Sequence, residues 1–197
     1  MKLRHTLSLP LLGLLGLIAL GSMLLADRTC AQPAEETERP RRARVTEAVC
    51  VVYPVGDSAV SGVVRFKATR QQVTITGEIS GLAPGKHGFH VHEFGDLTSQ
   101  ADGLSTGGHF NPEDAPHGAQ HAHEHERHIG DLGNIEADAN GVATFEIKDS
   151  LVRLNGPHSI LGRAIIVHRD PDDYSQPVGN AGPRVGMGVI GIAKPSE

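Results

Sequence analysis

The chain lacks a surplus of positive charge: 18 Lys and Arg stand against 23 Asp and Glu among 197 residues, a formal net charge of −5. A broad nucleic-acid-binding face needs clustered excess Lys and Arg, so that class of partner is excluded from the reading. Cysteine is nearly absent as well, with only Cys30 and Cys50, which is unusual for an exported chain, where disulfides are available. Aromatics are scarce at 4% with no Trp, yet 39% of residues are hydrophobic, which is too many for wholesale disorder. A domain of about 150 residues buries roughly 70% of the surface its unfolded chain exposes, so a core is possible without disulfides. Histidine is the outlier in the other direction, at 12 residues.

The N-terminus has its own composition. Lys2 and Arg4 precede an uncharged, mostly apolar run from Thr6 to Ala26, the pattern of an export signal, and Thr29-Cys30-Ala31 offers small residues for cleavage after Ala31. The run is also long enough to span a bilayer, so residues 1–31 read as a signal peptide or as an N-terminal membrane anchor. Both readings place the remainder outside the cytoplasm, periplasmic or secreted. Residues 32–45, beginning QPAEETERPRRAR, carry mixed charges and prolines and read as a solvated flexible linker. The folded domain is then 46–197. Cys50 sits in AVCVVYPV, where a lone Cys reads as a small buried hydrophobe.

The domain reads as strands and turns. Short runs rich in Val, Ile, Phe and Thr recur at 50–53, 63–68, 73–79, 87–93, 134–137, 142–147, 164–168 and 187–193, and none shows a sustained period of 3.6. Val73-Thr74-Ile75-Thr76 alternates as a half-buried antiparallel strand does, and Asn140-Gly141 supplies the positive φ angles of a hairpin turn. Two connections are long, 94–130 and 169–183, and structureless loops of that length are uncommon in compact domains unless they are functional.

On a strand of period two, His90 and His92 of FHVH emerge on one face while Phe89 and Val91 point into the core. His109, His117, His128 and Asp131 follow in one loop, and His168 ends the apolar strand Ile165-Ile166-Val167. Imidazoles suit copper and zinc, and three nitrogens with a carboxylate suit tetrahedral zinc. Spacing alone does not bring these residues together; the fold must.

GKHGFHVHEFGD at 85–96, GGHFNP at 107–112, HIGDLGN at 128–134, GRAIIVH at 162–168, GNAGPR at 179–184 and GVIGIA at 188–193 together resemble the copper/zinc superoxide dismutase family. The resemblance runs in order from about Ala48 to Ala193. It implies an all-β fold, an eight-stranded Greek-key β-barrel or sandwich with two long functional loops. It also implies an enzyme that converts superoxide to dioxygen and hydrogen peroxide, with Cu and Zn as cofactors. Carried over by position, His90, His92, His109 and His168 resemble the copper ligands, and His109, His117, His128 and Asp131 the zinc ligands. His109 would be the shared, catalytic bridge, Arg184 the active-site arginine, and Asp172 the carboxylate linking a copper histidine to a zinc histidine. GVIGIA and EFGD resemble dimer-interface segments, so the expected assembly is a homodimer.

The chain departs from the family pattern in three places. The family's intrachain disulfide has no counterpart, since Met187 stands at its barrel position and Ala101-Asp102-Gly103-Leu104 has no Cys. Metal ligation and a contact of Leu104 with Met187 are the expected substitutes. The 169–183 segment is short, with Val178 where a channel Thr is common, so electrostatic steering is expected to be reduced. His121, His123 and His125 match no family ligand and read either as solvated loop residues or as metal-capturing ones; His87 and His158 read as structural or surface histidines. The alternative function is an extracytoplasmic copper/zinc-binding protein without fast turnover.

Overall fold

The computed structural model describes residues 43–194. The signal or anchor assigned to 1–31 and most of the linker assigned to 32–45 lie outside the described residues. Within them, eight strands form where the apolar runs predict: β1 Glu47–Pro54, β2 Ser61–Ala68, β3 Val73–Ser80, β4 Gly85–His92, β5 Asp131–Ala137, β6 Ala143–Asp149, β7 Ala164–His168 and β8 Arg184–Ile192. No helix among the described residues is long and apolar enough to cross a membrane.

Every ladder is antiparallel. The order is β5-β4-β7-β8-β1-β2-β3-β6, and the two end strands, joined by the Asp138–Val142 turn, lie against each other so that the barrel nearly closes. Consecutive β1, β2 and β3 make a meander, whereas β3 pairs β6 and β4 pairs β7, the crossovers of a Greek key. Alternation sets the packing. Ala48, Cys50 and Val52 of β1 face inward, as do Val73, Ile75 and Ile79 of β3, and they join Phe66, Phe89, Val91 and Ile135 in one core. Cys50 is buried and unpaired, and burial pushes its thiol up to about 12, which leaves it an inert packing group.

β4 is the strand on which the site depends. Phe89 and Val91 enter the core, while His90 and His92 are also buried, on the opposite face, because the long loop covers them. That loop is stitched to β4 by backbone hydrogen bonds: Phe110 N–H donates to Val91 O, Gly130 N–H to Phe110 O, and Val91 N–H to Gly130 O. Gly130 is required there, because a Cβ would sit 2.2 Å from Val91 O.

A second, smaller apolar cluster holds Met187 together with Val55, Ala164 and Ile166, and the loop residue packed against it is Leu97. This corrects the expectation for Leu104, which is 63% exposed. Leu104 opens a single turn of 3-10 helix, Leu104–Thr106, whose buried residue is Thr106. The loop side chain packed on the cluster that holds Met187 thus comes from seven residues earlier.

Candidate metal centre

Two groups of donor atoms converge beneath the long loop: His90, His92, His109 and His168 form one, and His109, His117, His128 and Asp131 the other. His109 belongs to both. Its backbone bridges to that of His92, which fixes the ring over the face of β4, and the rings of His90 and His109 stand 4.1 Å apart. His168 arrives from β7, the ladder neighbour of β4.

The ring nitrogens divide their work in a way the partners determine. His92 Nδ1 lies 2.9 Å from Gly107 O and His168 Nδ1 3.0 Å from Gly182 O; a carbonyl only accepts, so each Nδ1 donates and each Nε2 keeps a bare lone pair. His90 Nε2 donates to Asp172 Oδ2 at 2.9 Å, which leaves Nδ1 bare. Those three atoms, His90 Nδ1, His92 Nε2 and His168 Nε2, are buried without any partner. Buried polar atoms are ordinarily satisfied, so three unpaired lone pairs aimed at one point mark a place for a cation.

The second group reads the same way. His117 Nε2 donates to Asp172 Oδ1 at 3.0 Å, and its Nδ1 sits 2.9 Å from Asp131 Oδ2 without the alignment of a hydrogen bond. His109 Nδ1 and His128 Nδ1 lie 2.8 and 3.1 Å from Asp131 Oδ1 and 3.4 Å from each other. A tetrahedron with zinc–nitrogen bonds of about 2.0–2.1 Å has edges of roughly 3.3 Å. The donors stand near that spacing, so the residues present fit a tetrahedral ion.

Asp172 ties the groups together from behind. It is 3% exposed, accepts from one histidine of each group, and is held by Asn134, whose Oδ1 accepts the Asp172 N–H at 2.7 Å. Gly179, at φ 74°, allows this approach, since a Cβ there would lie 2.2 Å from Asp172 Oδ1. Burial would raise the Asp172 carboxyl, but its histidine partners outweigh burial and hold it well below the usual carboxylate range.

Arg184 begins β8 opposite His168. Its Nη1 donates to Gly103 O and to Thr106 Oγ1, the latter at 3.1 Å, and its Nη2 to Gly107 O at 2.7 Å. Gly107 O is also the acceptor for His92 Nδ1, so the guanidinium and a four-histidine donor hang from one carbonyl. Burial lowers the guanidinium from its ordinary value, without threatening its charge at neutral pH.

Among the remaining sequence candidates, His87 is buried with its ring nitrogens 2.9 Å from His168 O and 2.8 Å from Ala83 O, a structural role. His158 pairs with Glu113 at 2.7 Å, near the surface. His121, His123 and His125 are exposed and join neither group. Val178 is 44% exposed on the 169–183 loop.

Sequence reading missed Arg127. It is 1% exposed, donates through Nη2 to Asp149 Oδ2 at 2.6 Å, and through Nη1 to the carbonyls of His128, Ile129 and Asp131. A buried guanidinium thus gathers the backbone around two donors of the second group. Asp149 in turn accepts from Gln120 Nε2 and from the N–H groups of Leu151 and Val152. The available signal was an Arg immediately before His128 in a loop otherwise free of Lys and Arg from 113 on.

An all-β barrel with two metal-type donor groups sharing one imidazole defines a protein built around a bridged pair of ions. A family model described as copper/zinc superoxide dismutase matches residues 60–190. A superoxide dismutase [Cu-Zn] 3 from Arabidopsis thaliana is 50% identical over 155 residues, 75% of this chain and 92% of the relative. A superoxide dismutase [Cu-Zn] from Onchocerca volvulus is 45% identical over 163 residues, 77% of this chain and 99% of the relative. A crystal structure of the clock protein EA4 superposes with a TM-score of 0.70 at 41% identity, covering 77% of this chain and 97% of that one. The chain belongs to the copper/zinc superoxide dismutase family.

Proposed function

We propose that this chain dismutes superoxide outside the cytoplasm, with His90, His92, His109 and His168 holding copper and His109, His117, His128 and Asp131 holding zinc. The observation that carries the assignment is the set of buried, unpartnered lone pairs on His90, His92 and His168, opposite a ring that a carboxylate-containing group also shares. Copper supplies the alternating one-electron chemistry that turns two superoxide ions and two protons into dioxygen and hydrogen peroxide, and zinc supplies a fixed charge without redox activity.

The chain's own residues do the rest. Arg184 presents a positive charge beside His92 and His168, where a small anion must arrive, and three acceptors on the loop hold that charge in place. His109 commits Nδ1 to the Asp131 side, so its Nε2 points the opposite way and is the atom at which a proton is held or released next to the substrate. Asp172 fixes the orientation of His90 and His117. The alternative of a metal-handling protein without turnover assumed a poorly supported loop, whereas Arg184, Leu97 and the β4 stitching supply that support.

The export reading rests on Lys2, Arg4 and the apolar run at 6–26, with cleavage after Ala31 or retention as a membrane anchor, followed by the 32–45 linker to the 46–197 domain. A homodimer is supported by exposed Val51 on β1 and Val189 and Ile192 on β8, an apolar set on two paired strands. No nucleic-acid partner is proposed, since the residues after Ala31 carry 15 Lys and Arg against 22 Asp and Glu.

The test is superoxide turnover by protein loaded with both metals, compared with Arg184→Glu. Superoxide dismutases are themselves a known case of electrostatic focusing, and the expected size is taken from that general range: kcat/KM falls at least ~10-fold. Metal content stays intact. Of the other charges on the short 169–183 loop, Arg169 pairs with Asp170, Asp172 is buried against two histidines and Asp173 is anionic, which leaves Arg184 as the attractive charge, so most of the decline of rate with added salt should disappear too. Unchanged turnover in the fully metallated variant would remove Arg184 from the mechanism.

A further inference from the structure

The turn at 119–126 supplies no donor to either metal group, and its chemistry is unusual. Its sequence AQHAHEHE contains three His and two Glu with no Lys or Arg. His121, His123 and His125 are all exposed, and no ring nitrogen of the three has a protein partner among the described residues. Glu124 and Glu126 have no cationic partner either; Glu126 Oε2 only accepts the His123 N–H, at 3.2 Å.

The base of this turn is fixed. Gly118 N–H donates to Asp131 Oδ2, Gln120 Nε2 donates to Lys148 O and Asp149 Oδ2, and Arg127 is buried at the other end. Between those anchors the chain reverses twice, with Ala122 N–H to Ala119 O and Glu126 N–H to His123 O, and His125 takes φ 70° to close the second reversal. Successive histidines are two residues apart, so their Cα atoms are separated by at most about 7 Å. The rings stand apart in the structure, outside the groups whose donor atoms converge, and being exposed they are free to change rotamer around an ion. Three imidazoles with two uncompensated carboxylates on a pinned turn favour a divalent late transition metal.

We propose that His121, His123 and His125 form an exposed capture site for zinc that feeds the buried group whose donors His117 and His128 root the turn. The proposal rests on the assignment of zinc to His109, His117, His128 and Asp131. An ion held by the turn has already lost part of its water shell and lies four residues from His117 and three from His128. Capture raises the local zinc concentration at the buried group without changing its final affinity, which separates this site from a merely solvated surface.

The test uses the full chain and zinc alone. Protein with both buried groups filled is dialysed against zinc, washed, and analysed for metal. A third zinc ion per chain is expected, lost at least ~10-fold in affinity in the His121→Gln/His123→Gln/His125→Gln variant, with the two buried ions unchanged. In a second arm the metal-free protein takes up zinc supplied below stoichiometry against a soluble chelator. The triple variant should fill about 10-fold more slowly and reach the same final occupancy. Two ions only in the parent, or a third ion retained by the variant, overturns the site, and equal filling rates overturn the feeding role. In the second arm, an ion that binds the metal-free parent and is lost in the triple variant, while the buried mixed group takes up no zinc, would keep the capture site and instead overturn the zinc assignment on which feeding depends. All three positions are exposed, so a circular-dichroism melt equal to the parent's is expected and confirms that folding is not being read.

Discussion

The two donor groups share a ring and differ over protons. Around the four-histidine group burial dominates: it pushes His92 well below the ordinary histidine range, His109 to about 4 and His168 to about 3, and neighbouring positive charges push the same way. In the mixed group burial also opposes the charge on His117, yet Asp131 and Asp172 outweigh it and lift that histidine to about 9. Burial would raise Asp131, but contacts with His109, His117 and His128 hold it far below the carboxylate range. His92, His109 and His168 therefore present lone pairs that no proton occupies at neutral pH, while His117 keeps a proton that an incoming cation must displace. A cation enters the first as a missing partner and the second as a competitor.

The largest expected effect is on the stability of the metal-free protein in acid. His92, His109 and His168 have depressed values in the folded state, so below about pH 6.5 the unfolded chain binds protons that the native state refuses. Stability is then lost as pH falls, by about 1.4 kcal/mol per pH unit for each such proton, and by up to ~4 when all three contribute. The mixed group acts on the other side. His117 is raised, so its contribution is complete below pH 6.5 and is lost as pH rises towards 9. Chemical denaturation of the chelated protein should give a maximum near pH 6.5 with the steeper slope on the acid side. A flat acid limb would show that His92, His109 and His168 are not held neutral by burial.

Next in size is the separation of the two ions. Substituting a partner behind a ligand commonly costs 10–100-fold in metal affinity, so removing a ligand should exceed that. His128→Ala should lower zinc retention at least ~100-fold and leave copper largely in place; His168→Ala should do the reverse. Elemental analysis after dialysis reads both. Equal loss in either variant would mean that the groups do not act as separate sites.

Asp172→Asn tests what joins them. The amide can donate to one ring or accept from it but cannot accept from His90 and His117 at once through two carboxylate oxygens. The expected outcome is a loss of about 10–100-fold in affinity that touches both ions. A loss confined to one ion would assign Asp172 to a single group.

Much of this was legible before any coordinates. All eight strands form within a few residues of the expected runs, because alternating Val, Ile and Thr leave a half-buried sheet as the consistent choice. All seven expected donors converge as well: six sit in the motifs at 85–96, 107–112, 128–134 and 162–168, which hold them in local frames, and His117 lies between two of those motifs. What sequence did not show was support made by backbone. The acceptors for Arg184 include Gly103 O and Gly107 O, and the acceptors for Arg127 include His128 O, Ile129 O and Asp131 O. Every residue has a carbonyl, so no residue type announces which one a buried guanidinium will find. The Arg127–Asp149 pair links positions 22 apart that only the finished barrel brings together.

The smallest expected effect concerns how the loop is held on the Arg184 side, where the sequence suggested Leu104 and the structure supplies Leu97. Leu97 is half-buried against the cluster of Val55, Ala164, Ile166 and Met187, so its apolar contact is partial and its removal should cost about 1 kcal/mol, below the range for a fully buried Leu. Leu97→Ser should therefore lower Tm by roughly 2–4 °C, while Leu104→Ser, at an exposed position, should leave it unchanged. The two substitutions are chemically identical and seven residues apart in one loop, so composition cannot explain a difference between them. If the loop contact also positions Arg184 through Gly103 O and Gly107 O, the Leu97 variant should lose part of its turnover at full metal content and regain it in Leu97→Met, which restores the contact with a different shape. Equal melting points for the Leu97 and Leu104 variants would mean that hydrogen bonding to Arg184, rather than the apolar cluster around Met187, carries the loop.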